Sequence, residues 1–339
     1  MTVSRFSSEV YAGRLAAAAA ATRDAGLAGS VITPGYDPRY LPGSRAQTLE
    51  RLTALVVPAA GKPTVVVPRM ERAALEASAV GDLGLTIADW VDGDDPYAVV
   101  ADSLGGGAIA TAVTDSMPAL HLIPLAAVFG AAPVLATGVL RSLRMAKGPA
   151  EIDVLRQAGM AIDRVHARVH EFLRPGRTEA DVAADITEAI VAEGHSEATF
   201  VIVASGPYGA DPHHECSDRV LEPGDVIVVD IGGPVEPGYY SDSTRTYSLG
   251  DPDPEFAEQY AVLQRAQATA VAAVRPGITA EEVDAAARRV LAEAGLAGGA
   301  DVILLPEMDY DVPTIAATCR RREERQRYTI ICIGEGAKQ

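Results

Sequence analysis

The sequence predicts a mixed α/β chain built from two successive domains and a short tail. Three observations carry this. Helix-like and strand-like segments alternate through residues 1–147, the pattern of a mixed sheet with helices on it. A Gly148-Pro149 break then opens a new helix, with Glu151 and Asp153 in its first turn where the helix dipole favours acids. Beyond it, residues 148–296 follow the order α-α-β-loop-β-β-α-α, and residues 297–339 read as a β-α-β tail.

In order, residues 10–25 read as a helix rich in alanine, 30–33 as a strand, LTALVVP and PTVVVP as two apolar strands, and 70–79 as a helix. TIADWV and AIATAV complete the strands of the first domain, with Trp90 a core residue. A helix over 150–173 ends at Pro175-Gly176, and Thr178 caps the next through the TEAD box. A strand over 199–205, a polar loop over 206–219, a pair of strands, and helices over 254–274 and 279–294 follow. Thr279 again follows a Pro-Gly, echoing Thr178 and suggesting an internal duplication.

The chain has 339 residues, 48% hydrophobic and 22% charged, with a formal charge of -17. That excess of acid argues against nucleic acid as a partner, since phosphate binding needs a basic face. The basic run RRREERQR at 320–327 is interrupted by glutamates and reads as a solvated helix face. Cys216, Cys319 and Cys332 have no CxxC spacing, which argues against a disulfide framework or a thiolate zinc site. The alanine run at 16–21 is too weakly apolar for a signal segment, and nothing approaches the roughly eighteen apolar residues of a membrane span. A reducing cytoplasm is expected.

The chemistry concentrates in GDVIVVDIGGPVEPGYYSDSTRTYSLG, residues 224–250. Val226, Val228 and Asp230 share one face of the first strand, and Tyr240, Asp242 and Thr244 one face of the second. Paired as a hairpin, the segments bring both carboxylates to one face, where a cation between them relieves their repulsion. Taken singly, Asp230 reads as a turn former before Gly232-Gly233, Asp242 as an edge residue, and His213 and His214 as loop histidines. Those readings leave two aspartates on facing strands unexplained. His121, His166, His170 and His195 lie in or beside helices with no partner at ligand spacing.

In order and spacing, RMAKGPAEIDVLRQA, RPGRTEADVAADI, SGPYGADPHH, GDVIVVDIGG and GYYSDSTRTYSLG resemble the pita-bread metallopeptidase family. Within it they are most similar to the Xaa-Pro aminopeptidases and prolidases that carry a creatinase-type N-terminal domain. The resemblance covers residues 5–296 and implies a creatinase-type domain over 1–147 and a pita-bread catalytic domain over 148–296. It implies Asp230 and Asp242 as ligands of two divalent metal ions, with His213 contacting substrate. Manganese or cobalt suits such carboxylates, with zinc a third candidate. Peptides with proline at the second position are the implied substrates, and a homodimer the implied assembly. The hairpin is one residue longer than the family's usual spacing, which a bulge would absorb.

The family's remaining ligands are a His from an HGIG-like segment and two Glu. No histidine follows His214, and Glu307 and Glu335 match neither glutamate motif. Residues 297–339 instead resemble a piece of a phosphofructokinase, through GGADVILLPE and YTIICIGEGA, without its nucleotide loop or catalytic aspartates. Such a piece cannot transfer a phosphoryl group. A junction between two parent sequences is expected at 295–299. The half-set of ligands implies weak metal binding and impaired or absent hydrolysis. The rival reading is a non-catalytic creatinase-fold protein serving in binding or association, or a chimeric chain. A metal-free amidinohydrolase is disfavoured by Asp230 and Asp242.

Overall fold

A computed structural model describes residues 6–47, 50–106 and 110–296. The tail over 297–339, with its β-α-β reading and with Glu307, Cys319, Cys332 and Glu335, lies outside the described residues. The chain divides into two units, Met1–Met145 and Ala146–Gln339.

The first unit is a six-stranded mixed sheet with helices on both faces. Helix α1 (Ser8–Asp24) forms from an alanine-rich run of high intrinsic propensity. It buries Tyr11, Leu15, Ala18 and Thr22 along one stripe and stops before Gly26, whose φ of 72° favours glycine. Strand β1 (Gly29–Ile32) lies near the centre, followed by the short α2 (Tyr36–Tyr40) and the pair β2 (Ala54–Pro58) and β3 (Thr64–Pro68). Strand β4 (Thr86–Trp90), α4 (Pro96–Asp102), β5 (Thr111–Val113), α5 (Ala119–Phe129), β6 (Val134–Leu135) and α6 (Thr137–Met145) come after α3 (Arg72–Glu76). The strand order is β4-β3-β2-β1-β5-β6, with β1-β2 and β2-β3 antiparallel and the rest parallel. Valine-rich strands suit a sheet covered on both sides. Leu55, Val57, Val65 and Val67 pack toward α1 and α6, whereas Ala54, Val56 and Val66 pack toward α4 and α5 with Trp90, whose indole donates to Leu52 O.

The helix expected over 70–79 is shorter. A 3-10 turn (Arg69–Glu71) leads into α3, and a second 3-10 turn covers Ala79–Leu83. Ser78 ends the helix by donating its hydroxyl to Leu75 O and accepting from the Val80 amide, a local alternative to helical bonding.

In the second unit, α7 (Pro149–Phe172) starts where the Glu151 carboxylate accepts the Gly148 amide, and α8 (Glu179–Ala192) starts at the Thr178–Asp181 capping box. Strands β7 (Phe200–Ser205), β8 (Val226–Val235) and β9 (Tyr239–Ser248) form an antiparallel sheet in that order. Val203, Ile227, Val229 and Ile231 bury one sheet face against Ile162, Val165 and Val169 of α7 and Val182 and Ile186 of α8. Helix α9 (Pro254–Ala273) packs its Leu263, Ala266 and Ala270 on Ala287 and Leu291 of α10 (Ala280–Glu293). The two Pro-Gly caps are near copies: Thr178 has φ, ψ of -86° and 159°, Thr279 -85° and 159°. Among the described residues, no helix is long and apolar enough to cross a membrane.

No bulge interrupts the hairpin. Strands β8 and β9 pair one to one from Val226 opposite Ser248 to Val235 opposite Tyr239. The Glu236-Pro237-Gly238 turn, with Gly238 at a φ of 131°, takes up the extra length instead.

Candidate metal centre

Strand parity decides what this sheet can do. Odd-numbered residues of β8 and β9 face the helices, so the even-numbered ones share the other face. Asp230 stands opposite Thr244 and Asp242 opposite Gly232, which makes the two aspartates diagonal neighbours on that face. Diagonal pairs across a sheet sit roughly 7–8 Å apart, near enough for their charges to act on each other.

The surroundings are apolar. Phe200 lies opposite Gly232 and Ile202 opposite Asp230 on β7, with Val228 two residues along β8. Gly232 is there by necessity: a Cβ would lie 2.4 Å from Ser241 O and 2.5 Å from the Phe200 ring. Burial pushes the Asp230 carboxyl above its ordinary range, although the Thr244 hydroxyl, donating to Oδ1 at 2.6 Å, and the charge of His213 pull it back. Asp242 is exposed at the surface of the sheet, yet desolvation and then the charge of Asp230 lift it to about 6. Two carboxylates that hold protons this readily are suited to a cation.

His213 is on the loop between β7 and β8. Its amide donates to Asp211 Oδ1 at 3.1 Å, and its side chain is exposed while standing close enough for its charge to act on Asp230. Among the described residues, no group of three or more His, Cys, Asp or Glu side chains gathers as a metal cluster. The donor set therefore fits one edge of a divalent-cation site, with two hard oxygen donors, and not a full coordination shell.

From the sequence, His214 reads as a loop histidine. In the structure its Nε2 lies 2.7 Å from Glu179 Oε2, its ring is stacked on Tyr208, and Glu179 is fully buried. Thr244, which from the sequence only shares a face with Asp242, stands opposite Asp230 once the register is known. His166 and His195 face the helix side. The first bonds Tyr247 and Ser243 O, the second Ser241 and Ile190 O, and burial lowers both pKa values. They hold the sheet to the helices and stand on the opposite face from the aspartates.

Comparison with known proteins gives concordant matches to both units. The signature of metallopeptidase family M24 matches residues 153–329, and that of the creatinase/prolidase N-terminal domain residues 14–146. The probable dipeptidase PepE of Mycobacterium tuberculosis is 71% identical over 293 residues, covering 86% of this chain and 78% of the relative. The crystal structure of dipeptidase PepE from Mycobacterium ulcerans superposes with a TM-score of 0.84 at 71% identity, over 87% of this chain and 79% of that one. A recombinant prolidase from Thermococcus sibiricus superposes with a TM-score of 0.78 at 32% identity, over 87% of this chain and 80% of that one.

Proposed function

Because the chain belongs to metallopeptidase family M24, we propose that it is a metal-dependent peptidase acting on short peptides, dipeptides with proline at the second position foremost. The likeness to a prolidase and to two dipeptidases supports that substrate class. The observation that carries the reading is the diagonal placement of Asp230 and Asp242 on one face of the β8–β9 hairpin.

Asp230 and Asp242 are the residues that would hold divalent cations, with manganese or cobalt preferred over zinc for oxygen donors. Such ions, when bound, polarise a scissile carbonyl and ease deprotonation of water. Thr244 donates to Oδ1 of Asp230 and so fixes the carboxylate plane, leaving Oδ2 for a ligand. Phe200 and Ile202 share the face with the aspartates and add apolar surface beside Asp230. Asp242, lifted to about 6, keeps its proton in a minor fraction of molecules at pH 7, and a cation competes with that proton. His213, exposed and acting through its charge on Asp230, would meet the oxygen of a bound peptide.

Two side-chain donors leave a cation mostly hydrated, so binding is expected to be weak and hydrolysis low. A non-catalytic relative that uses the same face for association is the second reading, favoured by the lack of a third ligand among the described residues. A cytoplasmic homodimer completes the proposal, and the free thiol of Cys216 is in keeping with a reducing compartment.

Calorimetric titration with Mn2+ and hydrolysis of a Xaa-Pro dipeptide test these readings together. Weak binding that Asp230→Asn abolishes, with slow Mn2+-dependent hydrolysis, supports the peptidase. Binding without hydrolysis at any metal concentration supports the association reading, and Mn2+ binding unchanged by Asp230→Asn removes the site from this face.

A further inference from the structure

Glu179 is a fully buried carboxylate whose burial the helix cap does not explain. It is the first residue of α8, but the acid that completes the capping box is Asp181. A carboxylate at that position gains from the helix dipole while remaining in water, and burying it is unfavourable unless donors surround it. Donors do surround it. Oε1 accepts from the Ser205 amide at 2.8 Å and the Ser205 hydroxyl at 2.5 Å. Oε2 accepts from the Ser217 amide at 3.1 Å, the Ser217 hydroxyl at 2.7 Å and His214 Nε2 at 2.7 Å. Although burial acts to raise its pKa, these bonds outweigh burial and hold it below the usual range.

The partners lie at the end of β7 and in the connection from it to β8. The regular structure of that connection is limited to the 3-10 turn Gly206–Ala210 and an isolated bridge of Val220 to Thr178, and a connection of this length in a compact unit needs something to hold it. Oε1 takes the end of β7 and Oε2 takes the middle of the loop. Farther along, Arg219 donates to the Ser205 hydroxyl and to Asp225, and its carbonyl accepts the Glu179 amide, which closes the loop back on α8. His214 is drawn inward to the carboxylate. The neighbouring side chain, His213, is left exposed, where its charge acts on Asp230.

We propose that Glu179 is a positioning residue: its carboxylate fastens the 206–217 loop at both Ser205 and His214-Ser217 and thereby sets where His213 stands against the Asp230–Asp242 pair. The anchor stands on these bonds alone; its service to substrate and cation rests on the reading of that face given above.

The test uses the full chain and the variants Glu179→Gln, Glu179→Ala and Ser217→Ala. Hydrogen exchange followed by mass spectrometry should show amides of 206–217 exchanging on the order of tenfold faster in Glu179→Ala, the scale of one charge-assisted bond, with partial rescue in Glu179→Gln and no change in β8 and β9. If Glu179→Ala does not fold, Ser217→Ala, which leaves the carboxylate in place and removes a hydroxyl that donates to it and accepts the Arg219 amide, carries the same expectation at smaller amplitude. The second readout is Mn2+ broadening of the His213 ring resonance, which depends on distance to the cation and which a merely stabilising residue would leave alone. It should weaken several-fold in the alanine variants relative to His170 as a distant control. Loop exchange unchanged in a folded alanine variant overturns the proposal, as does a loosened loop with His213 broadening undiminished. If Mn2+ broadens His213 in no variant, the cation reading fails and the exchange result alone decides the anchor.

Discussion

Replacing Asp242 with asparagine should make the metal-free protein more stable at neutral pH. The carboxyl of Asp242 is displaced from 3.8 to about 6, so the folded state holds its proton more tightly than the unfolded chain does. Between those values the folded state binds the extra proton, and stability therefore falls as pH rises through about 4 to 6 and stays reduced above it. For a buried group that displacement corresponds to about 3 kcal/mol. Because Asp242 is exposed on the sheet surface, solvent screening reduces it to roughly 1 kcal/mol. The asparagine side chain carries no charge, so Asp242→Asn should raise the melting temperature by roughly 2–4 °C at pH 7.5, with the gain shrinking toward zero as pH falls to about 4. Calorimetry or far-ultraviolet dichroism in a chelating buffer is the assay. Intrinsic fluorescence is unsuitable, since Trp90 is the sole tryptophan and belongs to the first unit. With millimolar Mn2+ the order should reverse or narrow, because only the wild type retains both anionic carboxylates. A variant less stable than wild type in chelator at pH 7.5, or a gain that does not depend on pH, would refute the reasoning.

Other outcomes follow from the same geometry. His166, lowered to about 4 by burial despite its bond to Ser243 O, stays neutral when folded and takes up a proton when unfolded. Stability on the order of 3 kcal/mol should therefore be lost as pH falls from about 6.5 to 4, and urea titrations of His166→Gln should lack that slope. Gly232→Ala forces a Cβ against a backbone oxygen and the Phe200 ring, and should cost roughly 2–3 kcal/mol in a urea titration; a neutral result would mean that the strands spread easily. Thr244→Val removes the hydroxyl bonded to Asp230 and should raise that carboxyl further, seen as a later midpoint in carbon-detected NMR titration.

The parts of the fold legible in the sequence are those written in local periodicity. The capping boxes at Thr178 and Thr279 are four-residue patterns, and both form. The shared face of Asp230 and Asp242 follows from even spacing along two strands joined by a short turn, with no distant information needed. What was not legible depends on contacts between residues far apart in sequence. Glu179 meets Ser205, His214 and Ser217 across 26 to 38 residues, and no local pattern separates it from the exposed acids beside it. Ser78, which ends α3 early, lies within a run whose composition still favours helix. The unbroken register was hidden because counting residues between the aspartates cannot say whether a bulge or a turn holds the surplus.

The odd–even division of β8 and β9 also constrains how this protein can change over evolutionary time. Substitutions at even positions can remodel the chemistry while leaving Ile227, Val229 and Ile231 to hold the sheet on its helices, and substitutions at odd positions can adjust packing without touching the carboxylates. A single-codon insertion or deletion within either strand has no such freedom. It would turn every residue beyond it to the other side, driving an aspartate into the hydrocarbon interior and an isoleucine into water. Length variation among descendants should accordingly collect at the Glu236-Pro237-Gly238 turn, with the strands themselves diverging by replacement alone.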